Sequence, residues 1–237
     1  MVPLVTENPT RADFHAAIRV ERQSLAEIVD TFTPEQWSAP SACSGWTIGE
    51  TVNHLLVGDG GTWRAAEALF RLRSPYRWVA DRQRELAKRA PSVAAEQLRA
   101  NRLPITARLP GRFGPRANLA ENLIHGDDIL RPLGLVRSRP PELQTAMASL
   151  RTVARWQFRK LKARGTLAVS TEAGNAFTVV SGFPMPRIVS GPGEGADARV
   201  TGDIIDVMTF LTGRRSPVTV EGDGPLADVL RLQMPAV

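Results

Sequence analysis

The sequence predicts an α+β protein, in which a four-helix bundle is followed by a small α+β domain with a short, mostly antiparallel sheet. Three observations favour this fold. Up to about residue 135 the apolar residues recur at helical spacing, in stretches that prolines and glycines separate. Beyond that point, short strand-like runs alternate with turn residues. The change falls near residues 136–140, in "VRSRPP", which predicts one domain over 1–138 and a second over 139–237.

The first two helices are predicted from apolar periodicity and from a capping signal. Residues 10–31 place apolar side chains at helical spacing, namely Phe14, Ala17, Ile18, Leu25, Ile28 and Val29. In "GWTIGETVNHLL", Thr47 can cap a helix, and Glu50, three residues on, can complete a capping box. We expect this second helix to run to about Phe70, although "GDGG" at 58–61 weakens or breaks its middle.

Two further helices complete the predicted bundle. The third covers roughly 77–102, with Pro91 as a kink or as a division into two pieces. The fourth spans about 116–130 and is ended by Pro132 and Gly134. Four helices with antiparallel connections are typical of a bundle.

The second domain is predicted as a series of short elements. Its first helix follows the prolines of "PPELQTAMASLRTVARWQFRKLKA", and strand-like runs follow in "TLAVST", "AFTVVS" and "PRIVSG". The glycine-rich stretch at 191–198 predicts a connecting loop, because it lacks the strand and helix context of a dinucleotide fingerprint. A helix at 202–213, the short strand "PVTVEGD" and a helix from 224 complete the pattern.

The positive charge argues against a nucleic-acid partner. The formal net charge is +6, and arginine carries almost all of the positive charge. Nucleic-acid binding requires basic residues gathered on one face. In "DRQRELAKRA", Arg82, Arg84, Lys88 and Arg89 instead project in several directions around a helix, which is typical of a solvated surface.

Other features restrict the compartment and the chemistry. No apolar run approaches the roughly 20 residues that a membrane-spanning helix needs, so we expect no membrane partner. The first residues lack the pattern of a secretory signal, and we expect a cytoplasmic protein. Cys43 is the only cysteine, which excludes an internal disulfide and a zinc site of several thiolates. Any metal must therefore be held by histidine and carboxylate.

Two of the three histidines lie off the apolar stripes of their predicted helices. Glu121 and His125 are four residues apart, so they are neighbours on one face of the fourth helix, with Asp128 beside them. The leucines of that helix fall on nearly the opposite face. His54 likewise lies away from the apolar stripe of the second helix, whereas His15 has no acidic partner at matching spacing and is expected to be structural or exposed.

Three interpretations of this arrangement remain open from the residues alone. Glu121 and His125 can be an ordinary exposed helix pair, worth a few tenths of a kcal/mol. Alternatively, His54, Glu121 and His125 meet across two helices and hold a divalent metal with an open fourth position, as in many catalytic zinc sites. In the third interpretation, Glu121 is a general base that His125 orients without metal.

Other side chains are weaker candidates. Cys43 can act as a nucleophile, but a lone loop cysteine more often packs. Trp37 and Trp46 flank the first interhelical connection and are expected to anchor it. Arg214 and Arg215 follow a helix and suit its C-terminal dipole, and one of them can also bind an anionic substrate bidentately.

Two long motifs resemble the mycothiol-dependent maleylpyruvate isomerase family, within the DinB-like superfamily of metal-binding four-helix bundles. They are "TPEQWSAPSACSGWTIGETVNHL" at 33–55 and "LAENLIHGDDILRPLG" at 119–134. The segment "TGDIIDVMTFLTGRRSPVTVEGD", at 201–223, is similar to the small C-terminal domain of the family. Asp127 departs from the usual motif, which commonly has an aromatic or other residue at that position.

The resemblance implies a site and a cofactor. It places a divalent metal, usually zinc, on His54, Glu121 and His125, and it implies that the thiol of mycothiol takes the open position. By likeness to the glycine–arginine segment of the family, Arg214 would hold an anionic group, since a guanidinium fork suits a carboxylate. The expected function is that of a mycothiol-dependent transferase or isomerase acting on a small electrophile. The competing expectations are a non-catalytic metal- or ligand-binding protein and a thiol-independent hydrolase.

Overall fold

The structure is a computed structural model, and it describes residues 9–57, 59, 75–100, 102–103, 107, 113–160, 164–182 and 185–232. By its internal contacts the chain divides into two compact units, Met1–Thr145 and Ala146–Val237. This division falls within a helix, Leu143–Lys160, whereas the boundary expected from the sequence precedes that helix. The position of the domain boundary stays a prediction.

Helices form the first unit. In its described part they are α1 Arg11–Val29, α2 Pro34–Ser38, α3 Ile48–Val57, α4 Pro75–Ala87, α5 Pro91–Ala100 and α6 Phe113–Leu130. Helix α1 packs against α5 and α6, while α3 packs against α4 and α6. The predicted bundle is confirmed, with α4 and α5 together in the place of its third helix.

Proline explains why the third predicted helix is two helices. Pro91 is the first residue of α5, where its missing N–H leaves no hydrogen bond unmade and its fixed φ suits the helix. The residue before a proline is disfavoured in helical conformation, so α4 ends before it. Of the two alternatives at Pro91, division is therefore correct. The predicted extension of the second helix from Val57 to Phe70 lies, apart from residue 59, outside the described residues.

The capping box predicted at the start of α3 is present. The Glu50 backbone N–H donates to Oγ1 of Thr47 over 3.1 Å, and the Thr47 N–H donates to Oε2 of Glu50 over 2.8 Å. Helix α6 is followed by a short 3-10 helix, Arg131–Leu133. Gly134 follows with a φ of 65°, in the left-handed region that favours glycine.

The core of the bundle contains a cluster of buried apolar side chains from α1, α3, α5 and α6, which includes Leu25, Val29, Ile48, Val52, Leu98 and Ile129. Trp37 of α2 belongs to this cluster and donates its indole N–H to the Ala87 carbonyl over 2.8 Å. A Cβ atom at Gly49 would lie 2.7 Å from the indole carbon Cε2 of Trp37. Trp37 therefore anchors the first connection to the bundle, as predicted, and it needs a glycine beneath its ring.

The described part of the second unit contains one mixed sheet with three helices. The strands are β1 Thr166–Thr171, β2 Ala176–Val180, β3 Arg187–Ser190, β4 Ala198–Gly202 and β5 Thr219–Glu221, and the helices are α7 Leu143–Lys160, α8 Ile204–Leu211 and α9 Pro225–Leu232. The strand order is β3-β2-β1-β4-β5. Strands β1 and β4 are parallel and the other three pairings are antiparallel, which confirms a mostly antiparallel sheet.

Strand β4 is absent from the sequence prediction. Its residues, "ARVTG", lie between the predicted loop at 191–198 and the predicted helix from 202. They pair in parallel with β1, so the sequence has no hairpin turn that would predict this strand. Asp203 separates the strand from α8 and caps that helix by accepting from the Ile205 N–H over 2.8 Å.

Among the helices that the structure describes, none combines the length and the apolar character that a membrane span requires.

Candidate metal centre

Three side chains from two helices of the first unit converge. His54 lies on α3, while Glu121 and His125 lie one turn apart on α6. One potential ligand atom from each lies within 4.8 Å of the others. The Oε2 atom of Glu121 lies 3.2 Å from Nε2 of His125 and 3.6 Å from Nε2 of His54. The structure thus brings together the three residues that the sequence indicated as a metal-ligand set.

The three side chains differ in their exposure to solvent. His125 is only 6% exposed, whereas the side chains of His54 and Glu121 keep 25% and 53% of their surface. Helix α6 is buried on its polar side as well as on its leucine side, because Asp128 is also completely buried. An ordinary exposed helix pair does not describe this arrangement. The cluster opens to solvent on the side of Glu121.

Each histidine is held by a hydrogen bond at its other ring nitrogen. The Nδ1 atom of His125 lies 2.9 Å from Oδ2 of Asp128, and Nδ1 of His54 lies 3.2 Å from Oε1 of Gln83. A carboxylate or amide oxygen only accepts hydrogen bonds, so both Nδ1 atoms donate. Both Nε2 atoms then face Glu121. Outer contacts of this kind fix the tautomer and ring orientation of metal-binding histidines.

Electrostatics couples Glu121 to the two histidines. Loss of hydration raises the pKa of Glu121, but hydrogen bonds and charges from His125 and His54 outweigh it, and the pKa lies well below its usual range. Burial lowers the pKa of His125, but Asp128 and Glu121 outweigh burial and the pKa is raised. A carboxylate whose pKa is so low is a weak base, which disfavours Glu121 as a metal-free general base.

An ordered loop provides one wall of the cluster. Oγ of Ser41 donates to the Trp46 carbonyl over 3.0 Å and accepts from Oγ1 of Thr51 over 2.8 Å. The loop places the ring of Trp46 with its centroid 4.9 Å from that of His54 and 6.0 Å from that of His125. Trp46 is therefore more than the loop anchor that the sequence predicted, because its ring lies against both imidazoles.

The same loop brings Cys43 near His125. Within the described residues, Cys43, His125 and Asp128 form a second set whose potential ligand atoms lie within 4.8 Å of one another. Nδ1 of His125 already bonds to Asp128, so a metal on this second set would break that contact or compete for Nε2. The set that contains His54 and Glu121 leaves the contact intact. We therefore take His54, Glu121 and His125 as the candidate metal centre.

The remaining candidates occupy other positions. Arg214 belongs to the second unit, where its Nη1 atom donates to Oγ1 of Thr212 over 3.0 Å, and the adjacent Arg215 is exposed. Arg131 donates to Oδ2 of Asp127 over 2.9 Å. Asp127 is therefore an ion-pair partner of Arg131, while Asp128 accepts a hydrogen bond from His125.

The donor set fits a divalent metal of the zinc type. Two imidazole nitrogens and one carboxylate oxygen are the protein ligands of many catalytic zinc sites, which keep a further position open. Here both imidazoles are oriented by buried partners, Asp128 and Gln83, and the exposed side of Glu121 leaves room for another ligand.

The fold and the site define a helical-bundle protein with a candidate metal centre and a small C-terminal mixed-sheet unit. Residues 18–77 match the mycothiol maleylpyruvate isomerase N-terminal domain. Two uncharacterized proteins of Mycobacterium tuberculosis, from strains CDC 1551 / Oshkosh and H37Rv, are each 28% identical over 233 residues, which cover 88% of this chain and 88% of each relative.

Solved structures share this architecture. The crystal structure of the mycothiol-dependent maleylpyruvate isomerase is 16% identical with a TM-score of 0.56, over 92% of this chain and 95% of that chain. A histidine-to-alanine mutant of that enzyme is 15% identical with a TM-score of 0.55 and the same coverage. The predicted resemblance to the mycothiol-dependent maleylpyruvate isomerase family is thereby confirmed.

Proposed function

We propose that this protein is a metal-dependent enzyme that uses mycothiol as its thiol cosubstrate and acts as a transferase or isomerase on a small electrophile. The observation that carries the proposal is the convergence of His54, Glu121 and His125, whose imidazole Nε2 atoms lie 3.6 and 3.2 Å from one Glu121 oxygen. Mycothiol is proposed because the enzyme in the similar crystal structures depends on it.

The residues of the cluster have distinct roles in this proposal. His54, Glu121 and His125 would hold the metal, for which zinc is proposed from the resemblance and the donor set. A bound divalent metal would favour the thiolate form of the cosubstrate, which is the reactive form of a thiol. Trp46 covers both imidazoles on one side and limits the access of water there. The exposed side of Glu121 marks where the cosubstrate would enter.

Arg214 is proposed as the residue that holds an anionic group of the substrate or thiol. The residue is half-buried and its guanidinium group bonds to Thr212, which restricts its orientation, while the neighbouring Arg215 is exposed. A planar guanidinium fork binds a carboxylate through two parallel hydrogen bonds. The domain boundary is likewise proposed near residue 138.

A reducing compartment suits this chemistry. A thiol cosubstrate must stay reduced, and the chain has a single cysteine and therefore needs no internal disulfide. We place the protein in the cytoplasm on this basis, with small molecules and not nucleic acid or membrane as its partners.

The decisive experiment combines metal analysis with a mycothiol titration on the purified protein. We expect about one bound divalent metal per chain and saturable mycothiol binding in the wild type. His54→Ala should lose the metal and the thiol affinity together. His15→Ala is the matched control, because His15 lies on α1 and contacts the Ala107 carbonyl instead of the cluster.

The possible results separate the competing functions. Metal content that His54→Ala leaves unchanged would contradict the ligand assignment. Full metal content without mycothiol affinity would favour a metal-dependent, thiol-independent hydrolase or a binding protein. Binding of both metal and thiol without turnover of any electrophile tested would favour a non-catalytic sensor or carrier.

A further inference from the structure

Gln83 is a buried polar residue that contacts the candidate metal centre from a third helix. It lies on α4 and is 1% exposed. Its Oε1 atom lies 3.2 Å from Nδ1 of His54. An amide buried without a hydrogen-bond partner is costly, so this contact satisfies a polar group that cannot turn to water.

The contact determines which nitrogen of His54 is free. A neutral imidazole has one protonated nitrogen and one lone pair, and a metal binds only the lone pair. The Gln83 oxygen accepts and cannot donate, so it requires the proton on Nδ1 of His54. The lone pair then lies on Nε2, which is the nitrogen that faces Glu121 over 3.6 Å.

The hydrogen-bond partner of His125 lies on the same helix, whereas that of His54 lies on a different helix. Asp128 lies three residues from His125 on α6, so their contact forms together with that helix. Gln83 is on a different helix from His54, so their contact forms only when α4 packs against α3. The orientation of His54 therefore depends on the tertiary packing of the bundle and on a single side chain.

We propose that Gln83 is a positioning residue of the candidate metal centre, whose side-chain oxygen holds His54 in the tautomer with Nε2 free for a metal. This rests on the proposed function insofar as the centre binds metal. The tautomer itself is a property of the metal-free protein and is tested separately. Removing an outer partner of a metal-binding histidine typically lowers metal affinity by about 10–100-fold.

The test begins with the tautomer of His54 in the metal-free protein. A long-range proton–nitrogen correlation spectrum, recorded where the imidazoles are neutral, resolves the ring nitrogens of the chain's 3 histidines. Loss of one set of signals in His54→Ala assigns them. We expect the proton on Nδ1 of His54 in the wild type. A proton on Nε2 would mean that the amide donates to His54, and would overturn the proposal even if no variant of Gln83 folds.

Substitutions then separate positioning from general packing. Gln83→Leu keeps a similar volume but removes the acceptor, and we expect a mixture of His54 tautomers and about 10–100-fold weaker Zn²⁺ binding, measured by competition with a chromophoric chelator. Gln83→Glu keeps an acceptor and should retain both the tautomer and Zn²⁺ binding. Gln97→Leu is the control for the substitution itself, because it makes the same change at a half-buried position on α5, the next helix along the chain.

The results distinguish this proposal from the function on which it rests. An unchanged tautomer and unchanged Zn²⁺ affinity in Gln83→Leu would refute the positioning role. Equal losses of Zn²⁺ affinity in Gln83→Leu and Gln97→Leu would also refute it, since the effect would then come from packing. A wild-type protein with the Nδ1 tautomer but no Zn²⁺ binding would instead refute the proposed function and leave the contact of Gln83 with His54 established.

Discussion

Nδ1 of His125 lies 2.9 Å from Oδ2 of Asp128, a carboxylate that is completely buried on the same helix. The contact raises the pKa of His125 against the effect of its burial. It also leaves Nε2 of His125 directed at Glu121, 3.2 Å away. A buried carboxylate behind a metal-binding imidazole increases the basicity of the ligand, so Asp128 has a predictable effect on the centre.

Asp128→Asn should weaken Zn²⁺ binding by about tenfold, because it removes the negative charge behind His125 while keeping the shape of the side chain. The same change should lower the pKa of His125 in the metal-free protein. Chelator competition measures the affinity, and an NMR titration measures the pKa. Asp127→Asn is the matched control, since Asp127 pairs with Arg131. Equal effects of the two substitutions would show that the contact with His125 has no special role.

The metal-free protein should have a characteristic dependence of stability on pH. The pKa of His125 is raised above its ordinary 6.5, so the stabilisation from its protonated form is complete below about 6.5 and is lost as pH rises through the folded-state pKa. The pKa of Glu121 is lowered from 4.5, so its contribution is complete above about 4.5 and is lost as pH falls through its folded-state pKa. Together these groups contribute most between about 4.5 and 6.5.

Urea unfolding of the metal-free protein over a range of pH measures this contribution. His125→Ala should abolish the fall in unfolding free energy above that window. Zn²⁺ should act in the opposite direction, because it must displace the proton from His125 and therefore binds more tightly as pH rises. A Zn²⁺ affinity that did not change with pH would argue against His125 as a ligand.

Gly49→Ala should destabilise the bundle by about 1–3 kcal/mol. The new methyl group would lie 2.7 Å from Cε2 of Trp37, and the ring cannot move freely because its N–H bonds to the Ala87 carbonyl. Denaturant unfolding measures the loss. In a double-mutant cycle, Trp37→Leu should remove most of the extra cost of the alanine, since the clash then disappears. A cost that stayed the same with leucine at position 37 would assign the effect to another contact.

Arg214→Lys should weaken the binding of an anionic substrate or of mycothiol by about tenfold, because lysine cannot form the paired hydrogen bonds of a guanidinium group. The adjacent Arg215→Lys makes the same change on an exposed side chain and should have little effect. Calorimetric titration with mycothiol, and KM with an accepted electrophile, report the two kinds of binding. A larger effect at Arg215 would reverse the assignment, and no effect at either position would remove both from the site.

Local signals in the sequence predict much of the bundle correctly. The capping box of Thr47 and Glu50 forms as predicted, because both partners lie within one helical turn. Glu121, His125 and Asp128 likewise lie close together on α6 because of their helical spacing. His54 lies off the apolar stripe of its own helix, so the residues alone allowed these side chains to form one set. That set was one of three open interpretations, and the resemblance to a family favoured it.

Contacts between distant segments explain what the sequence did not predict. Strand β4 pairs in parallel with β1 and has no turn signal of its own. Gln83 has no local partner that could mark it as functional, and it becomes part of the site only because α4 packs against α3. Trp46 lies in the motif at 33–55. The helix and loop signals of that motif do not predict that the Trp46 ring lies against the two imidazoles.

The sequence by itself determined the helical bundle, the mostly antiparallel sheet and the residue types of the candidate centre, because apolar periodicity, capping and i,i+4 spacing act within a few residues. Tertiary structure alone decided that His125 is buried beside a half-exposed Glu121, and that Gln83 supports His54. Burial and contacts between helices depend on how separate segments pack together, and no local pattern of residues specifies that packing.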